Sequence, residues 1–134
     1  MDKKEKTRFI LEQVRLCLDT DDFVRAQIIS RKISPKLLNL KEFVEVKETF
    51  YELMIRFYKH ENEYLDISRS YLSIFNTPDL HTEKDKKLEL LKNVVVYLVL
   101  SKRDNEQSDL CARVSLEKVI RILILLLYFF FFFF

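Results

Sequence analysis

The sequence predicts an all-α protein built as an α-solenoid of antiparallel helix pairs. Glycine is absent from all 134 residues, and proline occurs only at Pro35 and Pro78, so tight hairpin turns that need a positive φ angle are disfavoured. Apolar residues recur at helical spacing along most of the chain. The predicted helices form pairs with a period of about 40 residues, which is typical of helical repeats.

Composition also excludes several classes of function. A dinucleotide-binding fingerprint, a P-loop and a nucleophile elbow each need glycine where the backbone turns sharply or meets a ligand. The net charge is only +2, from 23 basic and 21 acidic residues, and the two signs are interleaved. This pattern is typical of solvated helix faces, so we expect no nucleic-acid partner.

The chain ends and cysteines indicate the compartment. Residues 1–6 are charged and no apolar stretch follows them, so we expect no secretory signal. Cys17 and Cys111 lie far apart and have no metal-ligand spacing. Reduced cysteines in a cytoplasmic and nuclear protein are the resulting expectation.

The first predicted pair covers the first 33 residues. Lys3–Leu18 has a helical apolar face, and the acidic run Asp19-Thr20-Asp21-Asp22 suits the N-terminus of a second helix, Asp22–Ile33. On this second helix we expect two neighbouring apolar strips, Val24 with Ile28, and Ala26 with Ile29 and Ile33.

The second predicted helix pair follows a short segment in which a new helix begins. Ser34 is a candidate helix cap, and Pro35 fits the first helical position, where no N–H is needed. The spacing then predicts helices over Lys41–His60 and Glu61–Phe75. We expect the core between these two helices to contain Phe50, Leu53, Phe57, Ile67 and Tyr71.

The third predicted pair ends near residue 114. Thr82–Asp85 resembles a capping box and opens a helix that reaches Leu100. Seven consecutive apolar residues, Val94–Leu100, would also suit a buried strand. Because Leu88, Leu91, Val95 and Leu98 keep the helical period and no partner strand is evident, we predict a helix buried on most sides. Asp104 and Gln107 form a second candidate capping box, which opens a helix that reaches Val114.

The sequence changes character after residue 118, so we divide it into a helical-repeat domain, 1–118, and an apolar low-complexity tail, 119–134. Residues 122–134 are unbroken apolar and end in six phenylalanines. This run is shorter than the ~20 residues that span a bilayer as a helix. Translated pyrimidine-rich sequence, a membrane anchor and a protein-interaction segment are the three interpretations, and the composition favours the first.

The residue types that commonly carry chemistry are few and scattered. His60 and His81 are the only histidines, and each is predicted near a helix end, where a turn position explains it. Cys17 lies on an apolar face and is typical of a small core residue, and nothing near Cys111 marks it as a nucleophile. We therefore predict no catalytic, cofactor-binding or metal-binding residues, no cofactor and no small-molecule substrate.

Several stretches resemble a known family, the PCI-domain subunits of the 26S proteasome regulatory lid. The similar segments occur in order over roughly residues 5–112, and the last of them, DNEQSDL, is the most specific. They are Phe9–Leu18, Ala26–Ile33, Leu53–Ile55, His60-Glu61 with Tyr64-Leu65, and Asp104–Leu110. The equivalent subunits of the COP9 signalosome share the helix pattern but match these sequence segments less closely.

The resemblance implies a non-catalytic scaffold of paired helices that contacts other lid and base subunits in ubiquitin-dependent degradation. It also implies a winged-helix module after the repeats, where this sequence has its apolar tail, so we expect the winged helix to be absent here. The alternatives are a helical adaptor tethered to a membrane by residues 119–134 and a non-functional truncated fragment.

Overall fold

The computed structural model describes residues 2–77, 84–102 and 104–114, and the part of the chain within these ranges is all-α, with no β-strand. Seven α-helices and one 3₁₀ turn are present within these ranges. The helices are α1 (Lys3–Asp19), α2 (Phe23–Ser30), α3 (Pro35–Leu38), α4 (Val44–Glu61), α5 (Tyr64–Phe75), α6 (Lys84–Leu100) and α7 (Asn105–Val114), and the 3₁₀ turn covers Lys41–Phe43.

Two residues with positive φ angles end the first helices of the first two pairs. Asp21 lies between α1 and α2 with φ 59°, and Asn62 ends α4 with φ 58°. Asp and Asn are the residues that tolerate this conformation best after glycine. The turns after α1 and α4 thus place short polar side chains at positions with positive φ, in a sequence that has no glycine.

The helix caps predicted from the sequence are confirmed in part by the structure. The carboxylate of Asp22 accepts a hydrogen bond from the Arg25 N–H at 3.2 Å, which confirms it as the cap of α2. Pro35 begins α3 and Ser34 occupies its N-cap position, as predicted, but the Ser34 side chain makes no capping hydrogen bond. The capping box expected at Thr82–Asp85 lies partly outside the described residues.

The core consists of two clusters, which are divided by α4. Leu53 and Phe57 pack toward α1 and α2, whereas Ile55 on the opposite side of α4 packs with α5 and α6. The prediction that Phe50, Leu53, Phe57, Ile67 and Tyr71 meet in one core is therefore wrong. The first three belong to one cluster and the last two to the other, because a helix in the middle of an array buries two faces.

The apolar strips of α2 and α6 are also divided between core and solvent. Ala26 and Ile33 are buried, but Val24 is 71% exposed and Ile28 56% exposed. On α6, Val94 and Val95 are fully buried. The expectation that Leu88 joins this buried face is wrong, since it is 45% exposed. The prediction that the helix is buried on most sides is also wrong for part of its surface, because Val99 and Leu100 are exposed as well.

Ion pairs between helices show how the successive helix pairs align. Arg8 bonds Glu45 and Asp19 bonds Arg56, and in both cases the two residues are 37 positions apart. Because this separation stays constant from one end of α1 to the other, α1 and α4 run parallel. Lys86 on α6 and Glu48 on α4 continue the alignment with a separation of 38. This relation supports the predicted repeat, while a solenoid over the whole chain stays a prediction.

Candidate interaction surface

His60 is in a stacked arrangement that links the first and second helix pairs. Its ring lies 3.5 Å from that of Phe23 on α2 with an angle of 7° between the planes. Its Nδ1 is 3.3 Å from Oε1 of the neighbouring Glu61. The aromatic contact accounts for the position of the imidazole at the end of α4, and His81 lies outside the described residues.

The two cysteines are half-buried and are not paired with each other. Cys17 packs beside the core cluster of α1, α2 and α4, and Cys111 beside that of α5 and α6. Burial raises the pKa of the Cys111 thiol, which lowers its thiolate fraction near neutral pH. Within residues 2–77, 84–102 and 104–114, no group of three His, Cys, Asp or Glu side chains could hold a metal ion.

Among the helices of the described ranges, none is both long and apolar enough to cross a bilayer. The membrane-tether alternative depends on residues 119–134, which lie outside those ranges.

A charged network covers the groove between α1 and α4. Arg15 donates from Nε to Glu12 at 3.1 Å and from Nη1 to Asp19 at 2.7 Å, and Asp19 also accepts from Arg56 at 2.9 Å. The hydrogen bond from Arg15 lowers the pKa of Glu12, and the same bond raises that of Arg15. Three arginines are thus paired with three carboxylates along this groove: Arg8, Arg15 and Arg56 with Glu12, Asp19 and Glu45.

A second groove, of about 440 Å³, lies between α4 and α6. It is lined by Glu48, Glu52, Lys59, Tyr71 and Lys86 among others. Partial burial, with the charge of Glu48 as the second cause, raises the pKa of Glu52. The groove is open and mixed in charge, since carboxylates and lysines both line it.

Three tyrosines form a stack beside this groove. The Tyr97 ring lies between those of Tyr64 and Tyr71, at 6.4 Å and 5.9 Å, and the Lys59 ammonium is 5.8 Å from its centroid. These tyrosines are half-buried, as their helical spacing predicts for residues that pack with the hydroxyl at the rim. The stack itself joins α5 to α6 and was not evident from sequence, because it depends on which turns of two helices meet.

The DNEQSDL segment forms the joint between α6 and α7. The Asp104 carboxylate accepts from the Gln107 N–H at 2.8 Å, which confirms it as a cap. The Gln107 side chain does not complete the predicted capping box. Instead it donates to the Leu98 carbonyl at 3.2 Å, in the last turn of α6. The amide thereby satisfies one of the carbonyls left free at a helix C-terminus.

Exposed apolar side chains mark the strongest candidate contact sites. Val24 and Ile28 are one turn apart on the outer side of α2, and Phe9 and Leu16 are two turns apart on the outer side of α1, at 60% and 51% exposure. Each of these residues has at least one charged or polar neighbour in the sequence, such as Arg8 before Phe9, Arg15 before Leu16, Arg25 after Val24 and Gln27 before Ile28. Apolar residues of this kind on a charged surface are typical anchors of protein–protein interfaces.

Comparison with known proteins gives a consistent picture. A family model described as PSMD12/CSN4, N-terminal, matches residues 1–83. The 26S proteasome non-ATPase regulatory subunit 12 of Dictyostelium discoideum is 40% identical over 114 residues, which cover 85% of this chain and 26% of that protein. Homolog A of the same subunit in Arabidopsis thaliana is 41% identical, and the match covers 82% of this chain and 30% of that protein.

A more distant relative agrees. The 26S proteasome regulatory subunit RPN5 of Saccharomyces cerevisiae is 30% identical over 123 residues, which cover 92% of this chain and 28% of that protein. The chain thus spans between about a quarter and a third of the length of these curated relatives. Since the family model matches more than half of its residues, this chain belongs to the PSMD12/CSN4 N-terminal family.

Proposed function

We propose that this chain is a non-catalytic scaffold segment of the 26S proteasome regulatory particle lid. Its relatives are named as proteasome regulatory subunits and resemble it over 82% to 92% of its residues. The observation that carries the proposal is this long ordered match, combined with helices whose charges are paired across the grooves. The role in the cell is support of ubiquitin-dependent degradation through protein–protein contacts, in the cytoplasm and the nucleus.

The absence of catalysis is part of the proposal and is supported by what the candidate residues do. His60 stacks on Phe23, Cys111 has a raised thiol pKa, and the arginines of α1 are bound to carboxylates. The imidazole and the arginines are thus engaged in contacts within the protein, and the Cys111 thiol is less ionised than a free thiol. A catalytic group needs the opposite arrangement, a reactive side chain that points into a cleft able to enclose a substrate.

The proposed partners are other lid and base subunits, and the outer side of α2 is the proposed contact. Val24 and Ile28 offer two branched apolar side chains at 71% and 56% exposure. Burial of such side chains in a complex contributes about 1.5 to 3 kcal/mol each when complete. Arg25, beside them, is 3.4 Å from Asp22 and would lie at the polar rim of the contact.

The test is co-purification of the full chain with a tagged lid subunit from cells that express both. Wild type should be recovered with lid and base subunits. The double variant Val24→Glu/Ile28→Glu should lose most of this recovery, because two charges would have to be buried. Leu40→Glu is the matched control, since Leu40 is 49% exposed but lies outside α2, and it should be recovered like wild type.

Circular dichroism of each variant shows whether the helices are retained. Equal recovery of wild type and the double variant would remove the outer side of α2 from the proposal. Absence of proteasome subunits from the wild-type sample, or recovery in the membrane fraction, would contradict the scaffold function itself.

A further inference from the structure

A groove of about 530 Å³ lies between α2 and the turn that joins α4 to α5. Phe57 in its lining is buried and Tyr58 is half-buried, so these two rings belong to the inner wall, whereas Val24 is 71% exposed and lies at the rim. The groove therefore adjoins the outer side of α2, which is the contact proposed above. We call it the α2–α5 groove.

The charges that line the α2–α5 groove do not balance. Three carboxylates are present, those of Glu61, Glu63 and Asp66, while Arg31 is the one arginine or lysine among the described residues of the lining. Arg69, outside the lining, lies 3.6 Å from Asp66 but is shared with a carboxylate of α7 at 3.5 Å. Within residues 2–77, 84–102 and 104–114, none of the ion pairs includes Glu63. The groove thus has surplus negative charge.

This negative charge acts on the inner wall of the groove. The pKa of the Tyr58 hydroxyl is raised first by burial, and the carboxylates of Asp66 and Glu63 act in the same direction, against a smaller opposing effect of Arg69. The carboxylates are therefore close enough to disfavour a negative charge on the aromatic wall. The same field favours a positive charge there.

An arginine side chain is the occupant that fits both parts of the groove. Its stem and its guanidinium plane pack on apolar and aromatic surfaces, and its N–H groups donate to carboxylates in a fixed fork. A lysine ammonium is more strongly hydrated and has no plane to stack. A divalent cation fits less well, because no group of three His, Cys, Asp or Glu side chains in the described ranges could hold a metal ion.

We propose that the α2–α5 groove receives an arginine side chain of a neighbouring protein, with the guanidinium group at Glu63 and Asp66 and the stem along the aromatic wall. This inference rests on the proposed function, since it supplies the chemistry of the partner that contacts Val24. Arginine is enriched in protein interfaces, and opposite charge across an interface selects the partner and its orientation.

The test is an NMR titration of the ¹⁵N-labelled full chain with N-acetyl-arginine amide. Backbone N–H signals of the groove residues should shift and saturate. The control probe is N-acetyl-citrulline amide, in which an uncharged urea replaces the guanidinium group, and its binding should be weaker by about fivefold or more. Added salt should weaken the binding of the arginine probe, because exposed charges are screened.

Two glutamate variants locate the site. Glu63→Gln should weaken binding of the arginine probe by about two- to fivefold, and since Glu63 is exposed and makes no side-chain cap bond, the helices should be retained. Glu42→Gln, which neutralises an exposed glutamate on the 3₁₀ turn, should leave binding unchanged. Equal binding of the two probes, equal effects of the two variants, or the same signal shifts with magnesium chloride alone would each overturn the proposal.

Co-purification with lid subunits separates this inference from the proposed function. If wild type is recovered with the lid but the arginine probe does not bind, the scaffold function stands and the groove proposal fails. If the probe binds as expected but wild type is not recovered with the lid, the groove keeps its preference for arginine and the proposed function fails.

Discussion

Arg56 and Asp19 are 37 residues apart in the sequence, yet Nη2 of Arg56 donates to Oδ1 of Asp19 at 2.9 Å across the α1–α4 groove. Near the start of α1, Arg8 and Glu45 repeat the same separation at 3.3 Å. A pair of this kind at each end of the groove shows that two helices that are not adjacent in the chain run parallel, with a constant offset of 37 residues.

The Arg56–Asp19 pair should have a small but measurable energetic coupling. Asp19 also binds Arg15, so a double-mutant cycle with Asp19→Asn and Arg56→Ala is needed to isolate the pair. Because both side chains are partly exposed, we expect a coupling of about 0.2 to 1 kcal/mol that weakens with added salt. Urea unfolding at low and high ionic strength measures it. A coupling of zero at low salt would mean that apolar packing alone sets the register.

Phe57 should be one of the most sensitive core positions. Its side chain is 6% exposed, and its ring is in an edge-to-face contact with Tyr58 at 5.6 Å. Phe57→Ala should lower the free energy of unfolding by roughly 3 to 5 kcal/mol, since it removes apolar contacts and leaves a cavity. Phe9→Ala is the matched control, because Phe9 is 60% exposed, and should change stability by only about 0.5 kcal/mol. Similar losses for both would contradict the assignment of the buried face of α4.

Ser68 should contribute to the contact between α5 and α6. Its hydroxyl is fully buried and donates to the Val94 carbonyl at 2.7 Å, a bond between residues 26 positions apart. Ser68→Ala should cost about 0.5 to 1.5 kcal/mol. Ser73→Ala on the same helix removes a hydroxyl that bonds only its own helix, at the Arg69 carbonyl, and should cost less. Chemical denaturation of both variants tests the order, and a larger loss in the Ser73 variant would refute it.

Glu52 should make stability depend on pH. Burial raises its pKa above the usual 4.5, and the charge of Glu48 acts in the same direction. The folded state therefore favours the neutral carboxyl, so this contribution is present below pH 4.5 and is lost as the pH rises through the folded pKa. Glu52→Gln should consequently gain stability relative to wild type between pH 4 and pH 7. Unfolding midpoints of both proteins across this range measure the difference in stability. A stability advantage of the variant that decreases toward neutral pH would contradict the raised pKa of Glu52.

Local features of the fold follow from the sequence because they depend on nearest neighbours along the chain. The absence of glycine, the helical spacing and the caps at Asp22 and Asp104 predict the helices to within a few residues. The pairing of helices also follows, since short polar turns leave little choice of direction. Family membership likewise depends on the order of residues along the sequence, here over residues 1–83, and needs no coordinates.

Which apolar side chains are buried between helix pairs is known only from the tertiary structure. Val24 and Ala26 are both apolar and lie on the same short helix, but one is 71% exposed and the other 1%. A single sequence records that a face is apolar but not whether another helix covers it, because burial depends on the angle at which helices cross and on their register. For the same reason the sequence predicts one core for Leu53 and Ile67, whereas the structure has two, because α4 buries one face with α1 and α2 and the other with α5 and α6.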